Sequence, residues 1–267
     1  VGDKAKEPAI ELAGVSRTYH RGGETLKALD HFDLTIEQGS FTAIMGPSGS
    51  GKSTLLNLVG GLDRADAGLV KVAGEELTTM TNAGLSAFRA DRIGFVFQGF
   101  NLLPVLTALQ NVELPLLLSP LSGKERRKHA THALTLVGLE DRLDHRPREL
   151  SGGQEQRVAI ARALATDPEL ILADEPTGDL DRASADAILD LLQRLNREHG
   201  KTIVVVTHDP KAAMAAQRTI HLDKGRLEKV VENEPKEGVA KEGEPAEAAA
   251  PVQDGVAAAE TSEEAAS

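Results

Sequence analysis

Nine consecutive residues, Gly46-Pro47-Ser48-Gly49-Ser50-Gly51-Lys52-Ser53-Thr54, constrain this chain more than any other stretch. They fit the phosphate-loop pattern G-x-x-x-x-G-K-[ST] at every fixed position. The flanks fit as well. Phe41-Thr42-Ala43-Ile44-Met45 reads as a buried strand, and Thr54-Leu55-Leu56-Asn57-Leu58-Val59 as the start of a helix. Glycines let the backbone turn its N–H groups inward around an anion. The helix that follows adds unpaired N–H groups and the positive end of its dipole. Lys52 supplies a mobile charge for the outer phosphates, and the Ser53 hydroxyl is a ligand for Mg²⁺. The stretch predicts a nucleoside-triphosphate site on an α/β framework.

Three further runs extend that framework: Phe95-Val96-Phe97, Leu170-Ile171-Leu172-Ala173 and Ile203-Val204-Val205-Val206. The last two are continuously apolar, as expected of parallel strands covered on both faces. Helical patterns lie between them. Residues Ala183 to Glu198 place Ala187, Ile188, Leu191, Leu192 and Leu195 on one face, and Gln154 to Ala165 stop before Asp167-Pro168. The alternation predicts an α/β fold with a mostly parallel sheet. Nearer the N-terminus, Ile10-Glu11-Leu12, Leu34-Thr35-Ile36 and Val70-Lys71-Val72 alternate, with a turn signal at Arg21-Gly22-Gly23. They predict a small antiparallel sheet beside the core. Gly99 to Leu150 reads mainly as helix and loop.

The 267 residues hold no cysteine, which excludes disulfides and thiolate metal sites. The longest apolar candidate, Val112 to Leu118, is far short of the ~20 residues that span a bilayer. The N-terminus lacks a signal-peptide core, so a soluble, cytoplasmic protein is expected. Of the net charge of −11, ten acids against two lysines lie in Glu232 to Ser267, leaving −3 for the rest. A near-neutral body predicts no nucleic-acid partner. The tail is rich in Ala, Glu, Pro and Gly and has no aromatic residue, so disorder is expected from 232 to 267. The body is expected to span 1–231.

Two more motifs join the phosphate loop. Leu172-Ala173-Asp174-Glu175 ends a buried strand on adjacent carboxylates. Facing a phosphate loop, the first is placed to hold Mg²⁺ and the second to deprotonate an attacking water. Leu150-Ser151-Gly152-Gly153-Gln154 opens a helix and is a second anion-binding element. Two such elements on one nucleotide make sense when the second closes on a nucleotide held by another copy.

In this company the chain resembles the nucleotide-binding subunits of ABC transporters, over roughly Ala9 to Val230. The resemblance implies a P-loop NTPase (RecA-like) core with a small antiparallel β subdomain and an inserted helical subdomain near 99–165. It implies ATP and Mg²⁺ as cofactors, and residue roles follow. Tyr19 matches the aromatic that stacks on adenine. Gly46 to Thr54 is the Walker A loop, and Gln98 the residue that contacts Mg²⁺ or water and senses a membrane partner. Leu150, Ser151, Gly152, Gly153 and Gln154 form the signature motif. Asp174 is the Walker B aspartate, with Ser53 and Gln98 completing the Mg²⁺ set, and Glu175 is the catalytic carboxylate. Asp179 and Asp181 belong to the D-loop, and His208 matches the switch histidine.

A finer resemblance, to the LolD-like and MacB-like group, is carried by Gly60-Gly61-Leu62-Asp63, Phe97-Gln98-Gly99-Phe100-Asn101-Leu102-Leu103-Pro104 and Ala173-Asp174-Glu175-Pro176-Thr177-Gly178-Asp179-Leu180-Asp181. That group serves lipoprotein release, macrolide export and cell division. It implies an ATP-bound homodimer and a separate integral membrane permease subunit, with the cassette on the inner face of the cell membrane. The alternative is a cell-division regulator that transmits ATP state without transport. Asp179 stands where many relatives have Asn. The run Leu102-Leu103-Pro104-Val105 is either a docking surface or ordinary core.

Overall fold

The chain's computed structural model describes residues 7–21 and 24–233. The first strands, β1 (Ile10–Arg21) and β2 (Glu24–Ile36), pair antiparallel, and β3 (Phe41–Met45) leads through the glycine-rich loop into α1 (Lys52–Val59). Then come β4 (Ala67–Val72), β5 (Glu75–Glu76), α2 (Asn82–Arg92) and β6 (Ile93–Phe97). A helical stretch follows with α3 (Ala108–Glu113), α4 (Gly123–Leu136) and α5 (Gly152–Leu164). The chain returns through β7 (Leu170–Asp174), α6 (Arg182–His199), β8 (Thr202–Val206) and α7 (Pro210–Met214). It closes with β9 (Arg218–Asp223) and β10 (Arg226–Glu232).

The strands form two sheets. One is antiparallel, in the order β2-β1-β4-β5, and the other runs β10-β9-β3-β8-β7-β6. In the second, every pairing is parallel except β9 with β10. Its central strands divide their residues between two cores, as a two-residue period requires. Ile203 and Val205 of β8 pack with α3 to α7, while Val204 and Val206 pack with α1 and the antiparallel sheet. All four are essentially inaccessible, and burying a side chain of this kind contributes roughly 1.5–3 kcal/mol.

The expected parallel sheet, antiparallel sheet and helices are thus present, and β1, β2 and β4 are much longer than the sequence signals showed, with β6, β7 and β8 longer by one or two residues. Three strands, β5, β9 and β10, carried no such signal. Every residue of β10 is exposed, so it has no apolar face to read; it is the charged edge of the sheet. The body also runs past 231. Glu232 still pairs with Arg218, and the Asn233 side-chain amide donates to the carbonyls of Ala213 and Ala216 at 3.0 and 2.9 Å. The Gly22-Gly23 turn and the acidic segment from 234 onward lie outside the described residues.

Candidate active site

The phosphate loop leaves β3 with backbone that glycine tolerates best. Gly49 and Gly51 have φ of 78° and 105°. A Cβ on Gly51 would sit 2.4 Å from the Ala28 carbonyl oxygen, and one on Gly46 would sit 2.3 Å from that of Leu222. The loop is wedged between β2 and the end of β9, so the glycines serve close approach as well as the turn. Gly225 N–H donates to the Ser50 carbonyl at 3.0 Å and holds the loop from below. Lys52 Nζ donates to the carbonyls of Gly46 and Pro47, at 2.8 and 2.9 Å. The α1 N-terminus has no side-chain cap, which leaves its first N–H groups to an anion.

A cleft of about 690 Å³ opens above this loop. Ser48, Gly49, Gly51, Lys52, Ser53 and Thr54 line it, together with Asp174, Glu175, His208, Gln98 and Tyr19. Its size suits a nucleotide. Asp174 ends β7 half-buried. Burial, with Glu175 beside it, pushes its carboxyl above the usual range; Lys52 and a hydrogen bond from Ser53 pull the other way. Glu175 takes a left-handed backbone, φ 47°, a strained conformation for a non-glycine residue. Its N–H donates to the Val206 carbonyl at 2.9 Å, which locks the turn onto β8. His208 Nδ1 is 2.8 Å from Glu175 Oε1, and the Thr207 hydroxyl donates to Oε2 at 3.2 Å. A carboxylate only accepts, so this contact places a hydrogen on Nδ1.

Comparison with known proteins fits this geometry. The family model described as "ABC transporter" matches residues 29–178. The chain belongs to the ABC transporter family. It is an ATP-binding cassette and an ATPase. It is 51% identical over 224 residues to the ABC transporter ATP-binding protein MJ0796 of Methanocaldococcus jannaschii, covering 82% of this chain and 95% of that protein. It is 49% identical over 220 residues to the macrolide export ATP-binding/permease protein MacB 1/2 of Paracoccus denitrificans, but spans only 33% of that longer protein. Among solved structures, a dimeric post-hydrolysis state of MJ0796 bound to ADP and Pi superposes with a TM-score of 0.76 at 48% identity. That match covers 84% of this chain and 98% of the other.

Not every expected residue of the cassette meets in the cleft. Ser50 is buried beneath the loop, and its hydroxyl has no hydrogen-bond partner. Gly46 and Pro47 present their carbonyls to Lys52. Leu150 to Gln154 stand apart from the cleft and start α5. The Ser151 hydroxyl accepts from Gln154 N–H at 3.3 Å, and Gln154 Oε1 accepts from Ser151 N–H at 2.9 Å, a reciprocal cap. Asp179 accepts from Gln98 Nε2 at 2.8 Å, outside the cleft lining. Asp181 caps α6 by accepting from Ala183 and Ser184 N–H. The Leu102–Val105 run divides: Leu102 packs against the core, whereas Leu103 and Val105 are exposed.

Two residues that no motif flagged tie these parts together. Gln156 on α5 is fully buried and donates to the Pro176 carbonyl at 2.6 Å, next to Glu175. Arg162, on the same helix, donates to the Phe100 carbonyl at 2.8 Å and to that of Asn101 at 2.5 Å. Both acceptor residues have left-handed backbone, φ 53° and 52°. Burial lowers the Arg162 pKa, and it forms no ion pair among the described residues. A half-buried guanidinium bonded to carbonyls alone holds a strained loop in place, here the loop that follows Gln98. The only sequence signal was two polar residues inside a helical run, which reads as surface.

Proposed function

We propose that this cassette energises a separate integral membrane subunit in lipoprotein-release or MacB-like export, and that two copies pair head to tail around two ATP molecules. Each nucleotide would lie between the phosphate loop of one copy and Ser151-Gly152-Gly153 of the other. The observation that carries this reading is the division of the site: Tyr19, Lys52, Ser53, Gln98, Asp174, Glu175 and His208 line one cleft, whereas the signature motif and the D-loop, which a second copy would supply, stand outside it. MJ0796 forms a dimer, and MacB joins an ATP-binding and a permease part in one chain, which supports both halves of the proposal.

The donors fit Mg²⁺. Asp174 and the Ser53 hydroxyl are hard oxygen ligands already bonded to each other, beside a cluster with excess negative charge. Among the described residues no group of three His, Cys, Asp or Glu side chains could hold a metal alone. Mg²⁺ commonly takes one or two protein ligands and completes its shell with phosphate and water. Asp174, the Ser53 hydroxyl and Gln98 would hold it, and it would neutralise negative charge on the phosphates.

The reaction then uses what the chain already holds in place. Lys52 would exchange the Gly46 and Pro47 carbonyls for phosphate oxygens, and the open α1 N-terminus would bind the inner phosphates. Tyr19 would stack on the base. Glu175 would accept the proton of the attacking water, and His208, turned away from it, would reach the γ-phosphate. Closure would be passed to the membrane subunit through the Gln98 loop and the exposed Leu103, Val105, Leu117 and Leu118. Among the described residues no helix is long and apolar enough to cross a membrane, in keeping with a peripheral position on the inner face of the cell membrane.

Glu175→Gln tests the proposal. It keeps the shape of the side chain and removes its charge and basicity. Turnover should fall about 10²–10⁴-fold, the usual loss on removing a general base. Binding should persist, and the variant should elute as a dimer with Mg-ATP and as a monomer without it. Near-parental turnover would move the base elsewhere. A monomer that stays monomeric while saturated with Mg-ATP would remove the paired-site reading.

A further inference from the structure

Gly60-Gly61-Leu62-Asp63 has no part in the reaction above, yet it lies directly behind the phosphate helix. The two glycines turn the chain sharply at the end of α1. Gly61 has φ 61°, and a Cβ on Gly60 would sit 2.5 Å from the Phe95 ring. Leu62 and Asp63 N–H both return to the Asn57 carbonyl, at 2.8 and 3.2 Å. This fold-back aims Asp63 at β1. There the Tyr19 hydroxyl donates to Asp63 Oδ2 at 2.7 Å. Arg17 grips the same carboxylate, Nε to Oδ2 at 3.0 Å and Nη2 to Oδ1 at 2.9 Å. The second arm of Arg17 donates to Asp66 at 2.7 Å, and the Thr18 N–H donates to the other Asp66 oxygen at 2.7 Å. The guanidinium carbon stands 4.7 Å from the centre of the Tyr19 ring.

The two sides of Tyr19 therefore differ. Tyr19 borders the nucleotide cleft and Arg17 does not. Arg17 and Asp63 border a separate cavity, which Tyr19 does not line. We propose that Asp63 and Arg17 are positioning residues for nucleotide binding: they latch the Tyr19 ring from behind by its hydroxyl and its covered face, leaving the cleft side to the base. This rests on the reading of Tyr19 as the base platform. Asp63 sits in the turn that closes α1, whose other end carries Lys52. Eight helical residues thus set the distance between the phosphate loop and the group that fixes the base platform. A free aromatic ring at the edge of a sheet would have to be ordered by the nucleotide itself; a ring held beforehand spares that entropy cost.

Isothermal titration of the full chain with two probes separates the possibilities. Mg-AMP-PNP carries a base and a triphosphate; Mg-tripolyphosphate carries only the phosphates. Tyr19→Phe and Asp63→Ala should each weaken Mg-AMP-PNP about three- to tenfold, less than the full worth of a charge-assisted hydrogen bond because the ring keeps its packing on the sheet, with Mg-tripolyphosphate unchanged. Asp63→Asn still offers an oxygen to the Tyr19 hydroxyl and should recover most of the loss. Tyr19→Ala should lose the most. Should Tyr19→Ala weaken Mg-AMP-PNP while Tyr19→Phe and Asp63→Ala match the parent, the platform stands and the latch is wrong. Parental affinity in Tyr19→Ala would overturn the platform reading and the latch with it. Equal weakening of both probes by Asp63→Ala would make Asp63 a residue of the fold alone and overturn the proposal.

Discussion

Two helices of this cassette start on glycine-rich turns, and they start differently. The α1 helix begins after Gly51, in a left-handed conformation with no side-chain cap. The α5 helix begins after Ser151, in extended conformation, inside a reciprocal cap with Gln154. The first leaves its N–H groups open beneath a deep cleft. The second has part of its terminus closed by its own side chains and exposes Ser151. An uncapped helix end is costly unless an anion fills it, whereas a capped one is stable while it waits. On the proposed shared site the difference implies an order: the nucleotide would settle on α1 first, and α5 of another copy would arrive at a ligand already held.

The largest effect should come from the α1 end. Lys52→Ala removes the charge that would face the outer phosphates, and losing a charge-assisted hydrogen bond of this kind costs roughly 10- to 100-fold in affinity. Titration with Mg-ATP checks it. Parental affinity would erase the contrast between the two helices.

At the α5 end the effect should fall on turnover and not on first binding. Ser151→Arg puts bulk and charge where a nucleotide held by the other copy would sit. The isolated variant should bind Mg-ATP like the parent and hydrolyse it poorly. Mixing it with Lys52→Ala chains gives heterodimers with one doubly damaged site and one intact site, and some activity should return. Full turnover in Ser151→Arg alone would break the comparison. Ser151→Ala sharpens it. Loss of the cap should cost about 1 kcal/mol, read as a fall of roughly 2–4 °C in thermal midpoint.

The smallest effect concerns the charge stored beside α1. Burial first, and Glu175 second, raise the Asp174 carboxyl above its unfolded value. Between those two values the folded chain holds more protons than the unfolded one, so stability falls as pH rises through that window. Above that window the full penalty applies. Asp174→Asn removes it, so the nucleotide-free variant should melt higher than the parent at pH 7. The gain should fade as pH falls toward about 3.9, the ordinary Asp range. Melting curves over that range decide the sign, and a lower midpoint at pH 7 would contradict it.

Much of this was legible in the residues. Continuous apolar runs marked β7 and β8 because a strand covered on both faces has no polar side to confuse the pattern. The phosphate loop and the Asp174-Glu175 pair were legible because their chemistry requires fixed spacing. What stayed hidden was of two kinds. Edge strands such as β10 turn every side chain to water and so look like loop. Gln156, Arg162 and Asp63 act through backbone carbonyls or a distant hydroxyl, and nothing local to their own segments shows where those partners will be. Asn233 is the same case at the end of the body, a polar residue whose acceptors lie on another turn of chain.

The order of strands has a consequence for how such a molecule can diversify. The segments carrying Gly46, Gln98, Glu175 and His208 follow β3, β6, β7 and β8, but across the sheet the sequence is β3-β8-β7-β6. Neighbouring strands sit about 4.8 Å apart, so the sheet fixes the reading order of the four segments whatever lies between them in the chain. The longest interval, from β6 to β7, holds α3, α4 and α5. That interval can lengthen, shorten or change its outer surface across generations without altering the spacing of the four. A lineage could acquire a new client through those helices and inherit the same engine.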